Sequence, residues 1–464
     1  MICNSGVAPA AFLRNMKFIH RKTSAVLPML LILAFTVFGQ SGKIDNISEQ
    51  AALVTEFDVN GLKVLVKRRP SAPTVAAGLF IRGGARNISD KNAGIENLAL
   101  TSAVEAGTKF PRAALRRELS RTGSTIAAAA ARDFSAVSFA STRQNFDRTW
   151  DLFTDVAISP AFAAEDVERV RRQILTGLRE SETSPDSALQ ALQDRVIYAG
   201  HPYANDVSGT IATIGSLTPA DLRTYHKNMM QTSRLLLVVV GDVDPNELRS
   251  RITASFGKLP RGNYKEQPLP ALDFSKATVD IVPRTIQTNY VQGIFAAPSL
   301  SSPDYFAMRV ATTILQQKVY EEVRVKRQLS YAPSADLNNF GANTANIYVT
   351  AVEANTAVGV MLEQINELKS DSVNQDAIDG MAGQFLTNYY LGQETNAAQA
   401  AELARYELIG GGWRNAFEFL NKIREVKSAD VKTVAAKYMK NIRFVVIGNP
   451  QSVDKNVFIA ATRP

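Results

Sequence analysis

One cysteine in 464 residues, Cys3, removes two chemistries at once. A chain with a single thiol forms no internal disulfide and offers no cysteine-based zinc site. Histidine is nearly as scarce, at three residues, and only His201 and His226 lie beyond the N-terminal segment. Outside residues 25–38 no stretch is apolar for long enough to span a bilayer. Charge of one sign is not gathered anywhere either. The 52 Lys and Arg are dispersed among 44 Asp and Glu, giving a net +8 with no basic block and no interleaved aromatics. That dispersal argues against nucleic acid, whose binders cluster their cations on one face. No Ser-His-Asp or Cys-His set is evident, which excludes the common nucleophilic protease mechanisms.

What is present begins with a leader. Lys17, Arg21 and Lys22 precede the apolar run Ala25–Phe38, and small residues follow at Gly39 and Ser41. A basic start, a short apolar core and a small-residue exit describe a Sec-type signal peptide over residues 1–41. Met16 opens a more typical leader than Met1 does. The expected mature protein is therefore periplasmic or secreted. Beyond the leader, 45% apolar and 21% charged residues are the composition of a globular chain.

Alternation then sets in. Phe57 and Val59 run into Asn60-Gly61, followed by Leu62, Val64 and Val66, which predicts a tight hairpin. Residues 75–82 read as a buried strand ending at Gly83-Gly84, and helical spacing follows over 93–106 and 112–122. Strand character returns over 124–141, with long helices over 146–158 and 164–182 and an apolar central strand at 234–241. Residues 259–272 carry three prolines and a glycine, the composition of a linker. Past it the pattern restarts. Ala220-Asp221-Leu222 is echoed by Ala429-Asp430-Val431, Gly241 by Gly448, and Leu119-Ser120 by Leu329-Ser330, at offsets of 209, 207 and 210. One nearly constant offset implies a duplicated α+β unit. The expected architecture is α+β: two homologous domains, 50–260 and 276–464, each a mainly antiparallel sheet packed with helices. A linker at 261–275 would join them into a clam-shell chamber.

The segment Gly94–Thr108 (GIENLALTSAVEAGT) follows a strand, a Gly-Gly turn and a short loop. In this setting it resembles the insulinase/pitrilysin family of zinc peptidases, over about Val54 to Pro450. In that family the helix carries H-x-x-E-H, with two His one turn apart for zinc and a Glu to polarise water; a Glu on a later helix completes the shell. Aligned from Gly94, those positions hold Asn97, Leu100 and Thr101; aligned back from Gly107-Thr108 they hold Leu98, Thr101 and Ser102. Neither register supplies a ligand, and Gly177 stands about where the later Glu belongs. His201, in a Gly-His-Pro-Tyr loop, and His226, alone on a helix, read as structural, and Glu96 and Glu105 lie off any ligand spacing.

The second half keeps more of the resemblance. EEVRVKRQLSYAPSA, residues 321–335, resembles the family's R-x-x-x-x-x-x-Y motif, with Arg324 and Tyr331 at its two ends. The resemblance implies that this pair holds substrate backbone and faces developing negative charge. The glycine-rich turn often found just upstream is absent, and Gly410–Gly412 reads as a helix terminator. Some short members of the family divide the site between two subunits. The chain is thus expected to be the non-catalytic subunit of an exported zinc peptidase. It would hold no cofactor of its own, pair with a zinc-bearing insulinase-like subunit, and bind extended peptides partly by strand addition near residues 125–131. The alternative is a peptide-binding or scaffold protein with no proteolytic role, in which Arg324 and Tyr331 are replaceable.

Overall fold

The computed structural model describes residues 47–460. The leader expected at 1–41 lies outside the described residues. Among the described residues eleven strands form two sheets. The first uses β1 (Val54–Val59), β2 (Leu62–Arg68), β3 (Thr74–Arg82), β4 (Thr125–Ala129), β5 (Phe134–Thr142) and β6 (Leu235–Gly241). The second uses β7 (Thr278–Pro283), β8 (Asn289–Ala296), β9 (Ser334–Leu337), β10 (Thr344–Ala351) and β11 (Arg443–Gly448). Asn60 and Gly61 take φ of 53° and 87°, the left-handed backbone that a two-residue hairpin needs, and β1 pairs β2 through Val59↔Leu62.

The orders are β1-β2-β6-β3-β5-β4 and β7-β11-β8-β10-β9. Without β1, each strand of the first sheet has a counterpart in the same place in the second. Each sheet has one parallel pair, β2 with β6 and β7 with β11, and every other pairing is antiparallel. The repeat read from three short sequence matches is therefore a repeat of topology. Residues 235–241 form the central strand expected of an unbroken β-branched run, buried at every position.

The two halves are interlocked rather than merely joined. The Pro185–Ile197 helix of the first half packs on β8 and β11, with Leu189, Leu192 and Ile197 against Ile294, Val445 and Ile447. Its counterpart in the second half, the Asn396–Ile409 helix, packs on β3 and β6. There Ala400, Leu403 and Ala404 share a cluster with Phe80, Leu236, Val238 and Val240. Each large apolar side chain so buried is worth roughly 1.5–3 kcal/mol, so the exchange is a substantial part of what holds the halves together. Sequence reading passed over the 185–197 helix, although Ser184 caps it and Pro185 opens it.

Residues 259–277 have neither helix nor strand, but they are not free. Arg86 bonds Glu266 at 2.6 Å and the carbonyl of Gln267, His201 bonds the carbonyl of Pro270, and Leu269, Leu272 and Phe274 pack into an apolar cluster. The connecting segment is a pinned strap.

Candidate functional site

The Ile95–Ala103 helix is set by a glycine and a buried carboxylate. Gly94 takes φ 81°, and a Cβ there would lie 2.6 Å from the Cα of Gly209, so only glycine lets the 205–210 loop pass. In the first turn, Glu96 is 1% exposed. It accepts hydrogen bonds from Ser135 Oγ, from Tyr225 Oη at 2.5 Å and from Arg234 Nη2 at 3.2 Å. Arg234 also donates to the Arg82 carbonyl at 2.9 Å, which ties the helix to the end of β3. Burial, followed by the nearby carboxylate, pushes the Tyr225 phenol well above its usual range, so it stays a donor. Helix placement here depends on no metal. Glu105 is likewise structural, bonded by Arg112, Arg116 and Arg169.

This placement decides between the two registers. Leu98 is fully buried beside Val167, Val170 and Ile214, and Ser102 is 2% exposed, so the register through Leu98 and Ser102 points into the core. Asn97 and Thr101 are half-buried on the remaining face, one turn apart, with Thr101 Oγ1 donating to Asn97 Oδ1 at 3.4 Å. Leu100, between them, is buried in a different cluster. The NH2 of Asn97 has no partner among the described residues. Gly177, on the Ala164–Thr183 helix packed against this one, is exposed, and a Cβ there would meet nothing within 4 Å. An amide, a hydroxyl and a bare glycine do not fit zinc, which needs imidazole, thiolate or carboxylate donors. Among the described residues no group of three His, Cys, Asp or Glu could hold a metal.

The two histidines are structural. His201 Nδ1 accepts from the Tyr203 amide at 3.1 Å while Nε2 donates to the Pro270 carbonyl at 3.2 Å. His226 Nε2 donates to the Ala157 carbonyl at 2.9 Å, with its ring edge-on to Phe162. Burial lowers the pKa of both, which favours the neutral imidazole these bonds describe.

In the second half the Asp304–Val319 helix runs on into a π-helical turn, Tyr320–Lys326. Such widened turns recur at functional positions. Here the turn carries Arg324, whose guanidinium lies 3.9 Å from the centre of the Tyr331 ring and donates to the Tyr331 carbonyl at 2.6 Å. Tyr331 is 80% exposed, and its hydroxyl makes no hydrogen bond among the described residues. The motif's ends are thus preassembled, as a cation stacked beneath a displayed phenol.

Each sheet has two edge strands, β1 and β4 in the first and β7 and β9 in the second, and the β4 and β9 edges differ. β4 pairs only with β5, and no side chain among the described residues bonds its backbone. β9 pairs only with β10, but the Ala335 amide donates to Gln316 Oε1 at 2.5 Å, so a side chain of the flanking helix occupies that edge. The hairpin tips are stitched together. Asp133, 5% exposed after β4, accepts from Tyr203 Oη, Arg86 Nη2 and the Gly341 amide of the β9–β10 turn. Sequence reading named Arg324 and Tyr331, weighed Glu96 only as a ligand and set it aside, and passed over Asp133 and Gln316. Nothing local marks a polar residue as buried when its partners lie 19 to 208 residues away.

Comparison with known proteins bears on the same segments. Residues 63–211 match a sequence model described as insulinase, peptidase family M16, and residues 216–385 match one described as the peptidase M16 inactive domain. An uncharacterized zinc protease of Mycobacterium leprae is 22% identical over 90% of this chain and 97% of its own length. Cytochrome b-c1 complex subunit 1 of Bos taurus is 26% identical over 56% of this chain and 55% of its own. Among solved structures, a peptidase M16 inactive domain from Pseudomonas fluorescens superposes with a TM-score of 0.77 at 18% identity, over 85% of this chain and 98% of that one. A protease from Helicobacter pylori gives 0.78 at 16%, over 85% and 99%.

Proposed function

The chain belongs to the insulinase family, M16, and we propose that it is a non-catalytic member of it: the subunit of an exported heterodimeric zinc peptidase that supplies Arg324 and Tyr331 to a partner's zinc site. The observation that carries this reading is the asymmetry between the halves. The face that would hold metal bears Asn97, Thr101 and Gly177, whereas Arg324 and Tyr331 stand in contact with the phenol exposed. A cation and a phenol donor suit the negative charge that develops when a zinc-bound hydroxide attacks a peptide carbonyl. The zinc belongs to the partner. Peptide would lie extended along the open backbone of β4, as an added strand.

The test is reconstitution with a zinc-bearing insulinase-like chain from the same genome. Alone, the purified chain cleaves no peptide; mixed, it restores turnover. Arg324→Ala or Tyr331→Phe lowers kcat of the mixture by about a hundredfold, the usual cost of losing one donor to a developing oxyanion. Unchanged turnover in both variants would remove the role assigned to the pair.

A second reading rests on the cytochrome b-c1 relatives, one from Bos taurus and one, 23% identical over 84% of this chain, from Caenorhabditis elegans. Those proteins are named as subunits of a complex. Under this reading the chain is a scaffold without proteolytic role, and both substitutions cost nothing.

A further inference from the structure

The half-buried face of the Ile95–Ala103 helix lies beside the open edge of β4. Leu100 and Val104 from the helix share one apolar cluster with Ile126 and Ala128 from β4, so helix and edge are fixed to each other. Beside that contact stand Asn97 and Thr101, one helical turn apart, with the Asn97 NH2 unused and the Thr101 hydroxyl held only by a 3.4 Å bond to Asn97. The Asn97 NH2 keeps access to solvent, so water meets it in the free chain and a peptide carbonyl can take that water's place. We propose that Asn97 and Thr101 form a metal-free anchor for the backbone of an extended peptide lying along β4, donating to two of its carbonyls. The proposal rests on the strand-addition reading above.

The spacing fits this ligand class. Residues i and i+4 of a helix are separated by about 6 Å along its axis, and carbonyls on one side of a strand repeat every ~6.6–6.8 Å. Two donors one turn apart therefore match the repeat of successive carbonyls along one strand edge. The chemistry fits retention rather than cleavage. An amide and an alcohol donate hydrogen bonds, but neither takes a proton from water near neutral pH. The peptide bond is polarised weakly and no nucleophile is generated at this site, so the anchor only holds the peptide and cleavage falls to the partner's zinc. Recognition through carbonyls is indifferent to side chains, and the anchor accepts many sequences in an extended form.

The experiment uses the full mature chain and an array of overlapping 15-residue peptides from β-casein, followed by fluorescence anisotropy with fluorescein-labelled copies of the best binders. Asn97→Ala and Thr101→Val are each expected to weaken binding about three- to tenfold, and the pair to weaken it further, across all bound sequences alike. Thr101→Ser restores affinity, because the hydroxyl is what matters. The melting temperature stays near that of the wild type, since neither side chain is in the core. A second probe carries N-methyl groups on alternate amides, made in both phases. If N-methylation abolishes binding in one phase while Asn97→Ala and Thr101→Val bind like wild type, strand addition stands and the anchor is wrong. If N-methylation has no effect in either phase, or the wild type binds nothing on the array, the strand-addition reading falls and takes the anchor with it.

Discussion

The two halves of this molecule share one strand order and differ at the same place, the edge strand and the helix that flanks it. In the first half that edge is β4, whose outward backbone has no side-chain partner among the described residues, and the flanking helix presents an amide NH2 that has none there either. In the second the edge is β9, and a side-chain amide from the flanking helix, that of Gln316, is bonded to it. An unpaired edge is a template for any extended chain, and proteins usually blunt it. Here one copy is blunted and the other left open. The comparison teaches where duplication has been turned into division of labour. The open edge suits a peptide, and the closed one leaves the segment just before it, Arg324 to Tyr331, as the displayed surface.

The sharpest way to break that comparison is to give the first half its metal back. Asn97→His, Thr101→His and Gly177→Glu together place two imidazoles one turn apart and a carboxylate on the neighbouring helix, at positions that are half-buried, half-buried and open. The triple variant is expected to bind one zinc per chain with submicromolar affinity, read by metal analysis and by a rise in melting temperature on adding zinc. The same graft in the other register, Leu98→His with Ser102→His, buries an imidazole where Leu98 is fully enclosed and is expected to cost about 3–5 kcal/mol and bind no zinc. Zinc binding by the second graft but not the first would reverse the register assigned here and displace Asn97 from the site.

Much of this was legible in the sequence, and what was not has a common cause. Asn60-Gly61, the unbroken run of β6 and the restart after residue 272 reveal local backbone preference and burial, which a chain writes into consecutive residues. That residues 94–108 hold no histidine was equally plain from the sequence. The choice of register was not legible. Leu98 and Asn97 are adjacent in sequence, and only the packing of the 164–183 helix and the 205–210 loop says which one is enclosed. The pinned strap at 259–277 read as a linker for the same reason, since its anchors Arg86, His201 and Asn441 come from distant segments.

The tie between the two edge hairpins gives a smaller effect. Gly341 donates its amide to Asp133 Oδ2 at 3.0 Å, and a Cβ on it would sit 2.8 Å from Asp133 Oδ1 and from Leu269 Cδ1. Gly341→Ala forces those groups apart and is expected to cost about 1–3 kcal/mol in urea unfolding. Asp133 also holds Arg86 and Tyr203 of its own half, so the loss from Gly341→Ala reports the junction between halves more cleanly than Asp133→Asn would. A cost near zero would mean that the β4 and β9 hairpins are not mechanically coupled, and the two edges would have to be treated as independent.

Gln316→Leu is the finest probe of the difference between the edges. Leucine keeps most of the side chain's volume but removes the oxygen that accepts from Ala335. Ala335 is buried, so the freed amide is left without a partner and the expected stability loss is about 1–3 kcal/mol. The larger consequence is at the edge, which becomes a template like β4. β9 is four residues long and carries the exposed Asp336, and both features still oppose pairing. A second peptide is therefore expected to bind Gln316→Leu more weakly than the first, raising the stoichiometry in calorimetry from one toward two only at high peptide concentration. If the stoichiometry of the wild type is already two, Gln316 is no guard, and the halves do not differ in the way their backbones suggest. If it remains one in Gln316→Leu at every concentration, the length and charge of β9 close that edge without help, and the guard is redundant.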